Sequence, residues 1–223
     1  MTFSLVARCA RTGQFGMVIS SSSPAVAARC ANVRAGVGAA ASQNVTDPAL
    51  GPLLLDRLEA GLTAPQALES VITGRKHVEY RQLMVVDREG AVAIHSGRKV
   101  LGIWAEVMGR DCAAGGNLLA RESIPAIMVS AFEAEDGYLG DRLMAALRAG
   151  LDAGGEAGPV HSAGLKVADR LEWPLADLRI DWSDDPVGML ANAWEVFRPQ
   201  MDDYVRRAED PSQAPSFGVP GNE

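Results

Sequence analysis

Met1-Thr2-Phe3-Ser4-Leu5-Val6-Ala7-Arg8 opens the chain, and the fold turns on how this stretch is read. From Thr2 onward it reads as a β-strand, since β-branched, aromatic and aliphatic residues follow one another without a turn former. Initiator methionine is generally removed when the second residue is small, and threonine qualifies. Removal would leave Thr2 with a hydroxyl and a free α-amine of pKa about 8. Such an amine can act as base for the hydroxyl beside it. The plainer reading is an ordinary translation start, with Thr2 no more than the first residue of a strand.

Outward from this stretch, residues 15–20 make a second strand across the turn Arg11-Thr12-Gly13-Gln14. A polar loop over Ser20–Ser23 and a small-residue strand over 34–43 follow. Thr46-Asp47-Pro48 starts a helix with Leu50, Leu53, Leu54 and Leu58 on one face, stopped at Gly61. Thr63-Ala64-Pro65-Gln66 is a capping box opening a second helix. The period then changes to two over 80–86 and 91–96, around the hairpin turn 87–90, with a further strand expected over 100–107. Two helices return: one carries Ile124, Met128 and Phe132, the other Leu139, Leu143 and Leu147, ending at Gly154-Gly155. Strands over 161–169 and 175–182 precede a last helix capped by Asp185-Pro186. Strands adjoin in hairpins and helices come in pairs. The expected class is α+β, a four-layer αββα sandwich of two mainly antiparallel sheets. One domain is expected over 1–207, with a mobile Pro/Gly/Ser-rich tail over 208–223.

Composition narrows the function classes. The 223 residues are 48% hydrophobic and carry a net charge of −7. That acidity argues against nucleic acid or anionic membrane as partner. No apolar run reaches membrane-spanning length, and the start lacks the basic flank and apolar core of a secretory signal. Cys9, Cys30 and Cys112 are an odd number without CxxC spacing, so reduced thiols and a cytoplasmic location are expected.

The order of these elements, with Thr2 at the head of the first strand, resembles the plan of the N-terminal nucleophile hydrolases. More closely, the chain resembles an uncharacterised domain-of-unknown-function family assigned to that superfamily. The segments carrying the resemblance are MTFSLVAR, AGVGAAASQNV, ALGPLLLDRLEAGLT, YRQLMVVDREGAVAIHSG, GGNLLARE and LADLRIDW. They extend from residue 1 to about residue 190, and their order is more specific than any one of them. The resemblance implies a fold and a nucleophile, Thr2, but no substrate. It also implies nucleophile-orienting polar groups at Ser20-Ser21-Ser22 and oxyanion donors at Gln43-Asn44. It further implies a glycine-rich turn, Gly115-Gly116-Asn117, closing the site before the third helix. Proteasome-type relatives carry Asp near Ser22, a departure in this chain.

Several residues have two readings. Asn117 is either an oxyanion donor or the N-cap of the following helix. Gln43 and Asn44 either face the site or simply end a strand. Arg81 and Gln82 alternate, so only one can face a cleft, and a solvent-facing or ion-paired Arg81 is the commoner case. His161 and Ser162 point to opposite faces, and His77 and His95 stand without metal-ligand spacing. Gly36-Val37-Gly38-Ala39-Ala40-Ala41 fits GxGxxA but lacks the βαβ setting of a nucleotide site. Its glycines suit close backbone approach instead. No metal or cofactor is expected. Val187, Leu190, Trp194, Phe197, Met201 and Tyr204 form a stripe kinked at Pro199, either core packing or a homodimer seam.

The leading expectation is a cytoplasmic amidohydrolase for a small amide-containing metabolite. Thr2, Gln43 and Asn117 would be catalytic, and Ser22, Asn44 and Arg81 would bind substrate. The rival is a non-catalytic small-molecule-binding or assembly protein on the same fold.

Overall fold

The computed structural model describes residues 1–219. Residues 220–223 of the expected tail lie outside them. Among the described residues ten strands run in chain order: β1 (Thr2–Arg8), β2 (Phe15–Ser21), β3 (Ala31–Arg34), β4 (Gly38–Asn44) and β5 (Arg81–Asp87), then β6 (Val92–Ser96), β7 (Ala105–Gly109), β8 (Cys112–Asn117), β9 (Ser162–Ala168) and β10 (Ala176–Ile180). The α-helices are α1 (Val26–Cys30), α2 (Leu50–Glu59), α3 (Ala64–Ile72), α4 (Ile124–Ala134), α5 (Leu139–Asp152), α6 (Pro186–Phe197) and α7 (Met201–Glu209). One sheet has the order β10-β9-β2-β1-β8-β7, the other β3-β4-β5-β6. Every pairing is antiparallel.

β1 is central and covered on both faces, so every residue from Thr2 to Ala7 is buried, the polar Thr2 and Ser4 included. Its alternation still sorts side chains into two clusters. Phe3, Leu5 and Ala7 join Met128, Phe132, Leu143 and Leu147 of α4 and α5. Val6 joins Phe15, Met17, Ile19, Ala39, Ala41 and Met84, drawn from strands of both sheets. A third cluster packs Leu50, Leu54, Leu58 and Leu68 of α2 and α3 on Ala40, Leu83 and Val85.

Four expectations are corrected. The strand expected over 34–43 is two, β3 and β4, turning at Gly36 with φ +68°. Ser20 and Ser21 lie in β2 with no exposure, rather than in a loop. The strand expected over 100–107 begins only at Ala105; Leu101, Ile103 and Trp104 before it are loop residues exposed to solvent. Gly115-Gly116-Asn117 is no turn but the end of β8, paired with β1. A Cβ at Gly115 would lie 3.0 Å from Met84 Sδ, so glycine lets the second sheet close down on β8.

The α6 stripe packs within its own chain. Trp194 is 2% exposed, its ring covers Gly140 of α5, and its Nε1 donates to Asp141 Oδ1 at 2.8 Å. The kink expected at Pro199 is a 3-10 turn, Arg198–Gln200, between α6 and α7. Of the expected mobile tail, residues 211–217 return to α7: Arg207 donates to Pro215 O and lies 3.9 Å from the Phe217 ring centroid. The capping box at Thr63 and Gln66 and the Asp185 cap form as their sequences imply. No helix of the described residues is long and apolar enough to cross a membrane.

Candidate functional site

The site is built from strand alternation. Val6 and Ile19 face the second sheet, so Thr2 and Ser4 on β1 and Ser21 on β2 face it too. Asn117 and Gly115 lie opposite Thr2 and Ser4 on β8. From the other sheet, Gln43 and Gln82 are register partners on β4 and β5. Ser4, Gln43, Gln82 and Asn117 are fully buried, and Thr2 is 4% exposed.

Backbone carbonyls orient the resulting amide chain. Gln43 Nε2 donates to Gly115 O at 3.2 Å and Gln82 Nε2 to Gly116 O at 3.3 Å. A carbonyl can only accept, so both amide orientations are fixed. Gln43 Oε1 then accepts from Ser4 Oγ at 2.6 Å. Gln82 Oε1 accepts from Gln43 Nε2 at 2.8 Å and from Asn117 Nδ2 at 3.3 Å. Gln82 Nε2 gives its other hydrogen to Ser96 Oγ. Both hydrogens of Gln43 are thereby taken up. Asn117 differs: among the described residues one of its N–H groups has no partner, and its buried Oδ1 has none either. Unpartnered buried oxygens are uncommon in folded proteins.

The second part of the site surrounds Met1. Thr2 Oγ1 and Ser21 Oγ both donate to the Met1 carbonyl. Ser21 Oγ is 2.8 Å from Ser23 Oγ, which accepts from Arg29 Nη2 at 3.1 Å. A chain of donors thus runs from a guanidinium through two hydroxyls to one carbonyl oxygen. Beside it, the Ser22 N–H donates to both Glu156 carboxylate oxygens at 3.1 Å. Glu156 is 3% exposed. Burial pushes its carboxyl up to about 7, against the opposing pull of the amino terminus, Ser22 and His161. It follows Gly154 and Gly155, both at positive φ, and is held by a bridge to Leu119.

Of the six residues singled out from sequence, Thr2, Gln43 and Asn117 come together. Asn117 does not cap α4; Ser123 stands at that position. Asn44 and Arg81 are not brought to this cluster: alternation turns them away from the Gln43–Gln82 face. Asn44, at φ +72°, donates to Tyr80 O and accepts from Leu101 N, and Arg81 donates to Val45 O. Both secure a strand end and the loop beside it. Ser22 reaches the site through its backbone N–H, which holds Glu156.

Ser21 entered only through the resemblance, within Ser20-Ser21-Ser22; sequence reasoning missed Ser23, Arg29, Gln82 and Glu156 as site residues. Only Gln82 carried a signal, the alternation that set it against Arg81. His161 lies next to the site, its backbone N–H donating to Ser21 O at 2.8 Å, but its ring turns to other partners: Nδ1 is 3.1 Å from Ser183 O, and the ring stacks on Trp182. Among the described residues, no three His, Cys, Asp or Glu side chains gather as a metal site. A Cβ at Gly38 would lie 2.4 Å from Val86 O, so the GxGxxA stretch serves backbone approach. A cavity of 480 Å³ lies at the opposite end of β1, lined by Arg8, Cys9, Arg11, Asp111, Glu133 and Arg142 among others.

A crystal structure of a DUF1028 protein from Silicibacter pomeroyi is similar at 29% identity. It covers 92% of this chain and 94% of its own, with a TM-score of 0.85. Two Anbu (ancestral beta-subunit) structures are more distant. That from Yersinia bercovieri has 11% identity over 97% and 100% of the two chains, at TM-score 0.37. A Gly-1 mutant from Hyphomicrobium has 13% over 98% and 100%, at 0.39. Comparison with curated proteins gives no match. Residues 2–190 match the model of the "Family of unknown function (DUF1028)", and the chain belongs to that family.

Proposed function

We propose that this chain is a cytoplasmic N-terminal-nucleophile amidohydrolase for a small amide-containing metabolite, on a four-layer αββα sandwich. One observation carries the reading: the Thr2 and Ser21 hydroxyls converge on the Met1 carbonyl. Met1 occupies the space a substrate acyl group would take. Once it is gone, Thr2 Oγ1 attacks the amide carbonyl. The Thr2 α-amine, through a water, takes the hydroxyl proton and passes it to the leaving amine. Ser21, backed by Ser23 and Arg29, donates to the oxyanion. The open Oδ1 of Asn117 accepts from the Thr2 amine and holds it in line, while Gln43 keeps the amide chain rigid. Water then releases the acyl group.

A non-catalytic binding or assembly role is the second reading. With Met1 attached, the Thr2 nitrogen is an amide and has no base function. Intact mass and acylation separate the two readings. Protein without Met1 should gain one acyl mass from a small β-lactone at Thr2, and Thr2→Ala should gain none. Absence of acylation in Met1-free protein would sink the hydrolase reading.

A homodimer also belongs to the proposal, with its seam away from Trp194 because α5 covers that ring. Sedimentation at tens of micromolar tests it, and a monomer removes it.

A further inference from the structure

Glu156 has no part in the hydrolytic scheme, yet it lies beside the carbonyl cradle. Its carboxylate receives only the Ser22 N–H, and among the described residues it forms no ion pair. An ionised carboxylate offers about four acceptor sites, and a buried charge normally has a partner of opposite sign. Of the charges acting on it, His161 is already engaged with Ser183 O, Asp184 and the Trp182 ring. The remaining one is the α-ammonium group of Met1.

The arrangement is compact. Ser21 holds the Met1 carbonyl, and the next residue, Ser22, holds the Glu156 carboxylate. Met1 is an aminoacyl group on the Thr2 nitrogen. That nitrogen and Oγ1 sit on adjacent carbons, so an acyl group on either one keeps its carbonyl within reach of the same cradle while its α-substituent shifts. Met1 as a whole residue is 36% exposed, so that space opens to solvent.

Resting on the hydrolytic reading of Thr2, we propose that Glu156 recognises a substrate ammonium group and that the substrates are α-aminoacyl amides. The scissile C–N bond breaks as the Thr2 Oγ1–C bond forms. The hydroxyl proton leaves with the amine, and water releases the free amino acid. The tether through nitrogen keeps the Met1 amine short of direct contact with Glu156; an acyl group on Oγ1 closes that gap.

The test uses Met1-free full-length protein and three 4-nitroanilides: methionine, N-acetylmethionine and the des-amino acid 4-(methylthio)butanoate. The expected result is a kcat/KM for the methionine compound about tenfold or more above both others, the worth of one hydrogen bond to a charged group. Glu156→Gln should erase that ratio. Glu156→Asp, which keeps the charge, should retain part of it. Circular dichroism checks that both variants fold. Equal or better turnover of the des-amino compound, or a ratio that survives Glu156→Gln, overturns the assignment. So does acylation of Thr2 by a β-lactone without turnover of the methionine compound, which leaves the nucleophile standing. Failure of both acylation and turnover overturns the hydrolytic reading itself.

Discussion

The two ends of β1 use the same alternation to different ends. At Arg8 the strand reaches an open cavity of 480 Å³ in which charges answer each other: Arg8 Nη1 meets Asp111 Oδ1 at 2.8 Å. At Thr2 a buried chain of neutral amides and hydroxyls lies beside Met1, with the Glu156 carboxyl next to it. The open cavity is thus the more self-sufficient end. The Thr2 end holds what the Arg8 end lacks, an acceptor without a donor at Asn117 and a buried carboxylate without an ion pair at Glu156. Unanswered polar groups point to a ligand more directly than volume does, because burying such groups costs free energy that a bound molecule can return.

The largest effect that could break this comparison belongs to Thr2. In Met1-free protein, Thr2→Ala should abolish β-lactone acylation without changing the melting temperature by more than a few degrees. Thr2→Ser should keep part of the reaction, since serine supplies a hydroxyl beside the amine. Intact mass and a thermal melt check both. Substantial acylation of Thr2→Ala would move the nucleophile elsewhere.

Asn117 comes next. Asn117→Ala removes the open acceptor and should slow Thr2 acylation roughly 10²-fold, the lower range for a proton-transfer group. Asn117→Asp keeps an oxygen at the same place but loses both N–H donors. If the acceptor matters, the aspartate variant should react faster than the alanine variant. If the aspartate variant is no faster, Asn117 works through its free N–H as an oxyanion donor.

Strands were readable wherever the alternation was local. β1, β2, β5 and β6 lie within a few residues of where their residue types place them. α1 and β3 were not legible, because five and four residues are too short for a period to declare itself. β8 was hidden by its own glycines: Gly115 and Gly116 punctuate like a turn, but the close approach of Met84 calls for them in a strand. Thr2, Gln43 and Asn117 could be picked out individually. That Gln43 gives both hydrogens away while Asn117 keeps its oxygen open depends on Gly115 O and Gly116 O, long-range partners no local window contains. Glu156 is the extreme case, 134 residues from Ser22 and outwardly one more acid after a helix.

Glu156 makes a smaller prediction with a defined sign. Burial raises its carboxyl from about 4.5 unfolded to about 7 folded. Between those values the folded protein holds the extra proton, so this group lowers stability as pH rises through the window. The cost is fully present above pH 7 and absent below about pH 4. Glutamine does not titrate. Relative to its value at pH 4, the stability of Glu156→Gln over the parent should grow by roughly 3 kcal/mol at pH 8. The amino terminus and His161 oppose the shift, so raising the salt concentration, which screens that pull, should widen the gap rather than close it. Urea melts at the two pH values measure it. A difference that stays constant with pH would mean that Glu156 is ionised throughout, with a cation beside it.

The smallest effect is expected at the other end of the strand. Arg8 and Asp111 are about one-fifth exposed as side chains, and Arg8 N also donates to Asp111 O through the backbone, which survives loss of either side chain. A double-mutant cycle of Arg8→Ala and Asp111→Asn should therefore give a coupling of about 1 kcal/mol, near the upper limit for a pair in contact with water. Thr2 acylation should proceed at the parental rate in all three variants, because the buried strand residues Phe3 to Ala7 separate the two sites and neither side chain reaches the amide chain. A coupling well above that size would mean the cavity excludes water more than its exposure suggests. A tenfold fall in acylation would join the two ends into one site and undo the contrast drawn between them.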